Sequence, residues 1–458
     1  MFYERSRFRV NMTFRGGVHP KGNKELSRNK ALREMRPAGE MVFPLAQHIG
    51  KPAKPVVKKG DEVLMGQKIG EPDGFISAAV ISSCSGKVKA IEKRRTISGA
   101  MQECVVIEND GLFTPAADWS RRRDAAKMTN EEIVAAVKEA GVVGLGGAGF
   151  PTYVKLMPKN PDAIKFVIAN GAECEPYITC NDQMMRSMAD GIVEGLEVTL
   201  RLFKNAEGVI AIEDNKPEAI AAMQKAAEGR KGIRVLPLHT KYPQGGERSL
   251  ISVIAGIDFP VAKLPADVGC IVDNVGTLYA IGRAVLYGEP LFTHVLTVTG
   301  DAISEPENFI VHDGTLMTEL IEACGGIKEG VTVKKALSGG PMMGVSIANL
   351  EVPVVKTTNA ITLLGRDAVE DSHKHMTGCL RCGRCTTVCP QGLLPQLMAE
   401  AIHVGDWERF EKKLYGLDCI ACGSCTYVCP AKRPLTQIFK ETKAEILALK
   451  RAKAGGAK

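Results

Sequence analysis

Cys379-Leu-Arg-Cys382-Gly-Arg-Cys385-Thr-Thr-Val-Cys389-Pro390 is written a second time as Cys419-Ile-Ala-Cys422-Gly-Ser-Cys425-Thr-Tyr-Val-Cys429-Pro430. Three thiolates at three-residue intervals wrap one face of an iron–sulfur cubane. The fourth, displaced by one more residue and followed by proline, is directed to a second cluster. Each run therefore supplies three ligands to one [4Fe-4S] cluster and lends one to the other. This pattern assigns Cys379, Cys382, Cys385 and Cys429 to a first cluster, and Cys389, Cys419, Cys422 and Cys425 to a second. Structural zinc is the competing occupant. It usually pairs two Cys-x2-Cys knuckles across a longer loop and has no use for a third cysteine in register or for the proline. A disulfide framework is not expected: no signal peptide is evident, and cysteines in metal spacing belong to a reducing compartment.

Between the runs, Leu397, Met398, Ile402, Trp407, Phe410 and Leu414 follow a helix-like spacing, and after the second run the stretch from Pro434 repeats apolar residues at helical intervals. The expectation is an α-helical ferredoxin module over 368–442 with a tail over 443–458. The alternative, a small ferredoxin built on strands, wants Val, Ile and Thr around the cysteines, and these are sparse there. Two clusters joined by shared cysteine runs form a one-electron wire and not a hydrolytic site.

The chain has 458 residues, 45% hydrophobic and 24% charged, enough for several domains. No apolar stretch approaches the roughly 20 residues of a membrane span. Its net charge of +7 is accounted for by the first 36 residues, where Arg5, Arg7, Arg9, Arg15, Lys21, Lys24, Arg28, Lys30, Arg33 and Arg36 face Glu4, Glu25 and Glu34. Residues 1–43 therefore read as a basic arm, either solvated or docked on an acidic subunit or anionic lipid surface. Nucleic acid is excluded as a partner, since the arm has few aromatics to stack on bases and the chain has no nucleic-acid motif.

Residues 44–115 change to short β-like pieces with glycine turns. Gly60-Asp61, Gly66-Gln67 and Ser85-Gly86-Lys87-Val88 are spaced as in the biotinyl/lipoyl hammerhead. The carrier turn falls near Asp73 to Ser77 and holds no lysine, so the domain reads as structural or docking and not as a swinging arm.

A second chemical region opens at Gly144-Leu-Gly-Gly-Ala-Gly-Phe-Pro-Thr-Tyr-Val-Lys155, between an amphipathic helix, Glu131 to Ala140, and a strand, Lys165 to Asn170. Glycines let backbone N–H groups approach phosphate, and a lysine eleven residues on adds a counter-charge. The loop lacks the GK[ST] of a P-loop and the usual Rossmann offset, so alone it reads equally as a tight structural turn. Three more turn-prone segments stand near strand ends, where α/β sheets build ligand crevices: Asn170-Gly-Ala-Glu-Cys-Glu-Pro176, Tyr242-Pro-Gln-Gly-Gly-Glu-Arg-Ser-Leu250 and Asp273-Asn-Val-Gly-Thr277.

These four segments resemble the NADH- and FMN-binding subunit of respiratory complex I. The order of the whole chain, with Phe14-Arg-Gly-Gly-Val-His-Pro20, Pro44-Leu-Ala-Gln-His-Ile-Gly50 and Cys429-Pro-Ala-Lys-Arg-Pro434, is more similar to the RnfC family of the ion-translocating ferredoxin:NAD oxidoreductase (Rnf/Rsx) complexes. The resemblance implies an α/β multidomain fold. It comprises an N-terminal β hammerhead (barrel-sandwich), a Rossmann-like FMN/NADH domain over 125–290, a soluble-ligand-binding β-grasp (SLBB) domain over 291–350, and the helical ferredoxin module. It implies FMN contacts at Gly144, Gly146, Lys155, Asn170, Glu173, Gly245, Glu247, Asn274 and Thr277, with Phe150 and Glu175 facing the nicotinamide. Leu145, Ala172 and Gly246 depart from the complex I pattern, which carries an arginine, an acidic residue and a glutamate there. Helix capping is the plain alternative for Glu173 and Glu175.

The implied cofactors are two [4Fe-4S] clusters, FMN and NAD(H). The implied partners are an iron–sulfur subunit, integral membrane subunits and, through them, ferredoxin, with the chain peripheral on the cytoplasmic side of the cell membrane. Electrons would pass from the partner through the clusters and FMN to NAD. A soluble NADH-dependent reductase of the cobalamin-reductase or proline-reductase-linked type, and a non-catalytic electron relay, are the alternatives. Cys84, Cys104, Cys174, Cys180, Cys270 and Cys324 lack metal spacing and read as buried thiols.

Overall fold

The computed structural model describes residues 12–455. The chain divides into two compact units, one of Gly22–Pro237 with Pro265–Gly365, the other of the described part of Met1–Lys21 with Leu238–Leu264 and Arg366–Lys458.

The first unit carries three bodies. Strand Met41–Pro44, the long hairpin Gly86–Arg95 and Met101–Asn109, and Glu62–Val63 form a four-stranded sheet that faces a three-stranded one, the two closing over Phe43, Val63, Ile69, Val88, Val105 and Ile107. This is the expected barrel-sandwich. Its carrier turn is held at both ends: Asp73 pairs with Lys51 and Lys54, and the buried Ser77 hydroxyl donates to the Lys51 carbonyl.

Next comes a four-stranded sheet in the order Ile233–Leu238, Glu207–Glu213, Phe166–Asn170, Cys270–Asn274. Strands Glu207–Glu213 and Cys270–Asn274 both run parallel to Phe166–Asn170. Burial on both faces explains why these strands read as apolar runs rather than alternations. Helix Asn130–Glu139 starts at a capping box, the Thr129 hydroxyl accepting from Glu132 N–H while the Glu132 carboxylate accepts from Thr129 N–H. Helices Ala189–Leu200 and Val275–Tyr287 touch backbone to backbone, and a Cβ at Gly195 would lie 1.8 Å from the Leu278 carbonyl oxygen.

The third body is a six-stranded sheet containing Thr293–Thr299, Glu307–His312, Lys335–Ser338, Val345–Ser346 and Ala360–Leu364. The sheet runs past the expected domain end at 350, because Ala360–Leu364 lies between Thr293–Thr299 and Lys335–Ser338.

Its outer strand is Arg33–Met35, parallel to Glu307–His312. From residue 12 onward the expected arm is thus part of the folded chain, and this corrects the solvated-arm reading for the residues described. Arg28 pairs with Asp182 at 3.0 Å and Arg33 with Glu307 at 2.8 Å, so the basic residues answer carboxylates of the same chain. Arg5, Arg7 and Arg9 lie outside the described residues.

In the second unit each cysteine run forms a loop closed by a one-turn helix, Arg384–Thr387 or Ser424–Tyr427, and followed by a longer one, Pro395–His403 or Leu435–Gly455. Leu393, Met398, Ala401, Phe410, Leu435, Phe439 and Ile446 form the core. The module is helical, as expected. Among the described residues no helix is long and apolar enough to cross a membrane.

Candidate functional site

The glycine loop follows helix Asn130–Glu139 and closes on itself: Gly144 N–H donates to the Phe150 carbonyl and Gly149 N–H to the Gly144 carbonyl. Leu145 N–H donates to the Thr277 hydroxyl at 2.9 Å, which ties the loop to the helix that starts after Asn274. The exposed apex, Gly146, Gly147 and Ala148, has three consecutive N–H groups with no acceptor among the described residues. Positive φ angles at Gly147 and Gly149 explain those two glycines. Gly146 is different. A Cβ there would sit 3.6 Å from Asn274 Cβ, an ordinary contact, so the fold itself does not demand glycine. Bare N–H groups beside a dispensable glycine make a cradle that fits a phosphate or a flat ring. Lys155 does not reach out freely; its ammonium donates to the Val272 carbonyl and to Asp273 Oδ1.

The strand Phe166–Asn170 ends in the acidic loop. Asn170 Oδ1 accepts from Ala172 N–H at 3.3 Å. Glu173, at φ 49°, turns its carboxylate onto the N–H groups of Asn181 and Asp182 and so caps helix Cys180–Ser187. Burial raises its pKa, an effect opposed by Lys24 and Lys216. Glu175 Oε1 accepts from Met342 and Met343 N–H, burial raises its pKa too, and Oε2 has no partner among the described residues.

Two cations beneath this loop escape sequence reading. Lys24 Nζ, from the supposed arm, donates to the Glu175 and Ile178 carbonyls and lies 4.0 Å from Glu173. Lys216, 1% exposed, donates to the Ala172 carbonyl and to Glu213. Nothing in a lone lysine signals such a contact, because it is fixed by tertiary structure. Gly144, Gly146, Phe150, Lys155, Asn170, Glu173, Glu175, Asn274 and Thr277 belong to the first unit, whereas Gly245 and Glu247, at the start of helix Glu247–Ala255, belong to the second.

The cysteine runs match at an offset of forty residues. Arg381 N–H lies 3.4 Å from the Cys379 sulfur, and Ala421 N–H lies 3.4 Å from that of Cys419. Gly383 and Gly423 both take left-handed φ before the short helices. The sulfurs of Cys385 and Cys425 meet Gln396 and Thr436.

Cys389 leaves its own run: with Cys419, Cys422 and Cys425 it lines one cavity, closed by Met398 and Phe439. Burial pushes the Cys425 thiol up to about 12, helped by the neighbouring Cys419, Cys422 and Cys389. Four cysteines from two runs lining one cavity suit a cubane in chemistry and number. Of the other four, Cys379 and Cys382 are exposed and Cys385 and Cys429 are half-buried. A hydrogen bond from Thr377 N–H to the Ala431 carbonyl holds the start of the first run against the end of the second. The Phe14–Pro20 segment also packs here, its Gly17 N–H donating to the Val388 carbonyl, and a Cβ at Gly16 would lie 2.8 Å from the Cys389 oxygen.

Four family descriptions match in chain order: an RnfC barrel sandwich hybrid domain over 12–112, a Nuo51 FMN-binding domain over 137–283, an SLBB domain over 295–346 and a 4Fe-4S dicluster domain over 373–430. Two relatives match along nearly their whole length. The chain is 43% identical to a subunit of the proton-translocating ferredoxin:NAD(+) oxidoreductase complex of Clostridium ljungdahlii, over 94% of each chain. It is 42% identical to the corresponding subunit of the Na(+)-translocating ferredoxin:NAD(+) oxidoreductase complex of Acetobacterium woodii, over 96% of this chain and 98% of that one. This chain belongs to the RnfC family of ion-translocating ferredoxin:NAD(+) oxidoreductase complexes.

Membership explains the order of the four bodies and makes the protein an oxidoreductase subunit with FMN and iron–sulfur cofactors. The dicluster match spans all eight motif cysteines and favours clusters over zinc. A crystal structure of an NAD+-reducing [NiFe]-hydrogenase in the air-oxidized state shares the fold, with a TM-score of 0.50 at 18% identity over 70% of this chain and 64% of that one.

Proposed function

We propose that this chain carries electrons between an iron–sulfur partner on the ferredoxin side and NAD, as a peripheral subunit of a membrane complex on the cytoplasmic face. A bound flavin exchanges electrons singly with clusters and as hydride with a nicotinamide, which is the conversion such a chain needs. No side chain is required as a nucleophile; the residues bind, orient and shield.

The observation that carries the flavin reading is the row of unpaired N–H groups at Gly146, Gly147 and Ala148 beside a glycine the fold does not need. Gly144, Asn170, Asn274 and Thr277 frame that cradle, with Lys155, Glu173, Gly245 and Glu247 assigned to the same cofactor by resemblance. Phe150 and the free Oε2 of Glu175 are the groups proposed to meet the nicotinamide. Cys379, Cys382, Cys385 and Cys429 would hold one cluster, and Cys389, Cys419, Cys422 and Cys425 the other.

Gly146→Ala tests the reading, because the protein has room for the Cβ while a ring or phosphate against the loop does not. The expected product has full iron and sulfide, wild-type thermal stability, depleted flavin absorbance and NADH:ferricyanide activity lost in proportion. Retention of both flavin and activity would make the loop a structural turn. Wild-type protein that never binds flavin yet passes electrons between partners would be a relay.

A further inference from the structure

The two cysteine runs are copies of one motif, yet their surroundings differ. Cys379 and Cys382 are exposed, while Cys422 and Cys425 are 8% and 9% exposed. Two polar groups sharpen the difference. Tyr242, 1% exposed, donates its hydroxyl hydrogen to the Cys422 carbonyl at 2.7 Å. Lys443, half-buried on helix Leu435–Gly455, donates to the Cys419 carbonyl at 2.9 Å. Forty residues earlier the counterpart of Lys443 is the exposed His403, which makes no such bond. Among the described residues, no side chain donates to the carbonyl of Cys379 or Cys382.

Reduction adds a negative charge to a cluster already surrounded by thiolates. Burial disfavours that charge, so of two otherwise equal clusters the buried one would be harder to reduce, and an electron arriving at the exposed one would stay there. An ammonium group and a phenolic dipole directed at the buried ligand loop act in the opposite sense, since both stabilise added negative charge.

We propose that Lys443 and Tyr242 raise the reduction potential of the buried cluster above what its burial alone would give, so that electrons received at Cys379 and Cys382 pass inward. Tyr242 stands three residues before Gly245, so the group that favours the inner cluster belongs to the segment assigned to flavin. The proposal rests on the cluster assignment and not on the flavin site.

The test is an EPR-monitored potentiometric titration with dithionite of wild type, Lys443→Met, Lys443→Arg and Tyr242→Phe. Iron and sulfide analysis comes first, and wild type without clusters would refute the assignment rather than the tuning. Lys443→Met is expected to disfavour reduction of the buried cluster about tenfold, equivalent to about 59 mV for a one-electron couple. The exposed cluster should keep its midpoint. Tyr242→Phe should give a smaller change of the same sign, and Lys443→Arg should restore the wild-type value. Unmoved midpoints at full iron content, or equal changes in both clusters, would overturn the proposal. If Lys443→Met loses iron, Tyr242→Phe decides, because it removes one oxygen atom and leaves the ring in place.

Discussion

Lys155 stands 3.2 Å from Asp273, ammonium nitrogen to Oδ1, while the other carboxylate oxygen of this aspartate, its side chain 1% exposed, is buried with no hydrogen-bond partner among the described residues. Burial raises the Asp273 pKa and Lys155 opposes that rise. The lysine that resemblance assigns to flavin phosphate therefore also holds a buried carboxylate in place.

The two roles separate in a double variant. Lys155→Met alone should cost about 3 kcal/mol, the low end for stranding a buried charge, because Lys155 is partly solvated. Lys155→Met with Asp273→Asn should recover most of that stability and still bind flavin weakly, if the ammonium also serves the phosphate. Denaturation midpoints and flavin dissociation constants for the set check this. Full recovery of flavin affinity in the double variant would leave Lys155 a purely structural cation.

Lys356 offers a pH test of the first unit. It is fully buried, donating to the Ala79 and Gly141 carbonyls, and burial lowers its pKa from 10.5 to about 8. Between about pH 8 and 10.5 the unfolded chain holds this proton and the folded chain does not, so raising the pH through that window stabilises the fold. The gain for this group alone is about 3 kcal/mol. Lys356→Met should remove it, so the stability difference between wild type and variant must change with pH across the window. A difference independent of pH would mean that Lys356 is not buried as a charge.

How much of this was legible depends on how local the signal was. The cysteine runs announced their loops because ligand spacing is a property of consecutive residues, and the cavity that Cys389 lines with Cys419, Cys422 and Cys425 is the one place where the structure bears on the reading of one extra residue and a proline. The glycine loop was visible, but not that Gly146 differs from Gly147 and Gly149, since that needs the position of Asn274. The solvated-arm reading failed for the described residues because charge was counted without partners. Arg28 and Arg33 meet Asp182 and Glu307, more than a hundred residues away, and no window of sequence contains both ends. The end of the β-grasp sheet was missed for the same reason, as Ala360–Leu364 declares its place only by pairing.

Cys389 provides the sharpest test of the shared ligands, because sequence neighbourhood and spatial neighbourhood disagree about it. It lies in the run of Cys379, Cys382 and Cys385 but lines a cavity with Cys419, Cys422 and Cys425. Cys389→Ser replaces a thiolate by a poorer ligand and should impair the cluster held by the second run, leaving the exposed one intact. Reduced wild type should show two interacting [4Fe-4S] signals by EPR, and the variant one signal without the broadening that coupling produces. The remaining signal should be that of the exposed cluster, identified by its selective loss in a second variant, Cys382→Ser. If Cys389→Ser instead removes the signal that Cys382→Ser removes, each run keeps its own four cysteines and the crossed assignment is wrong.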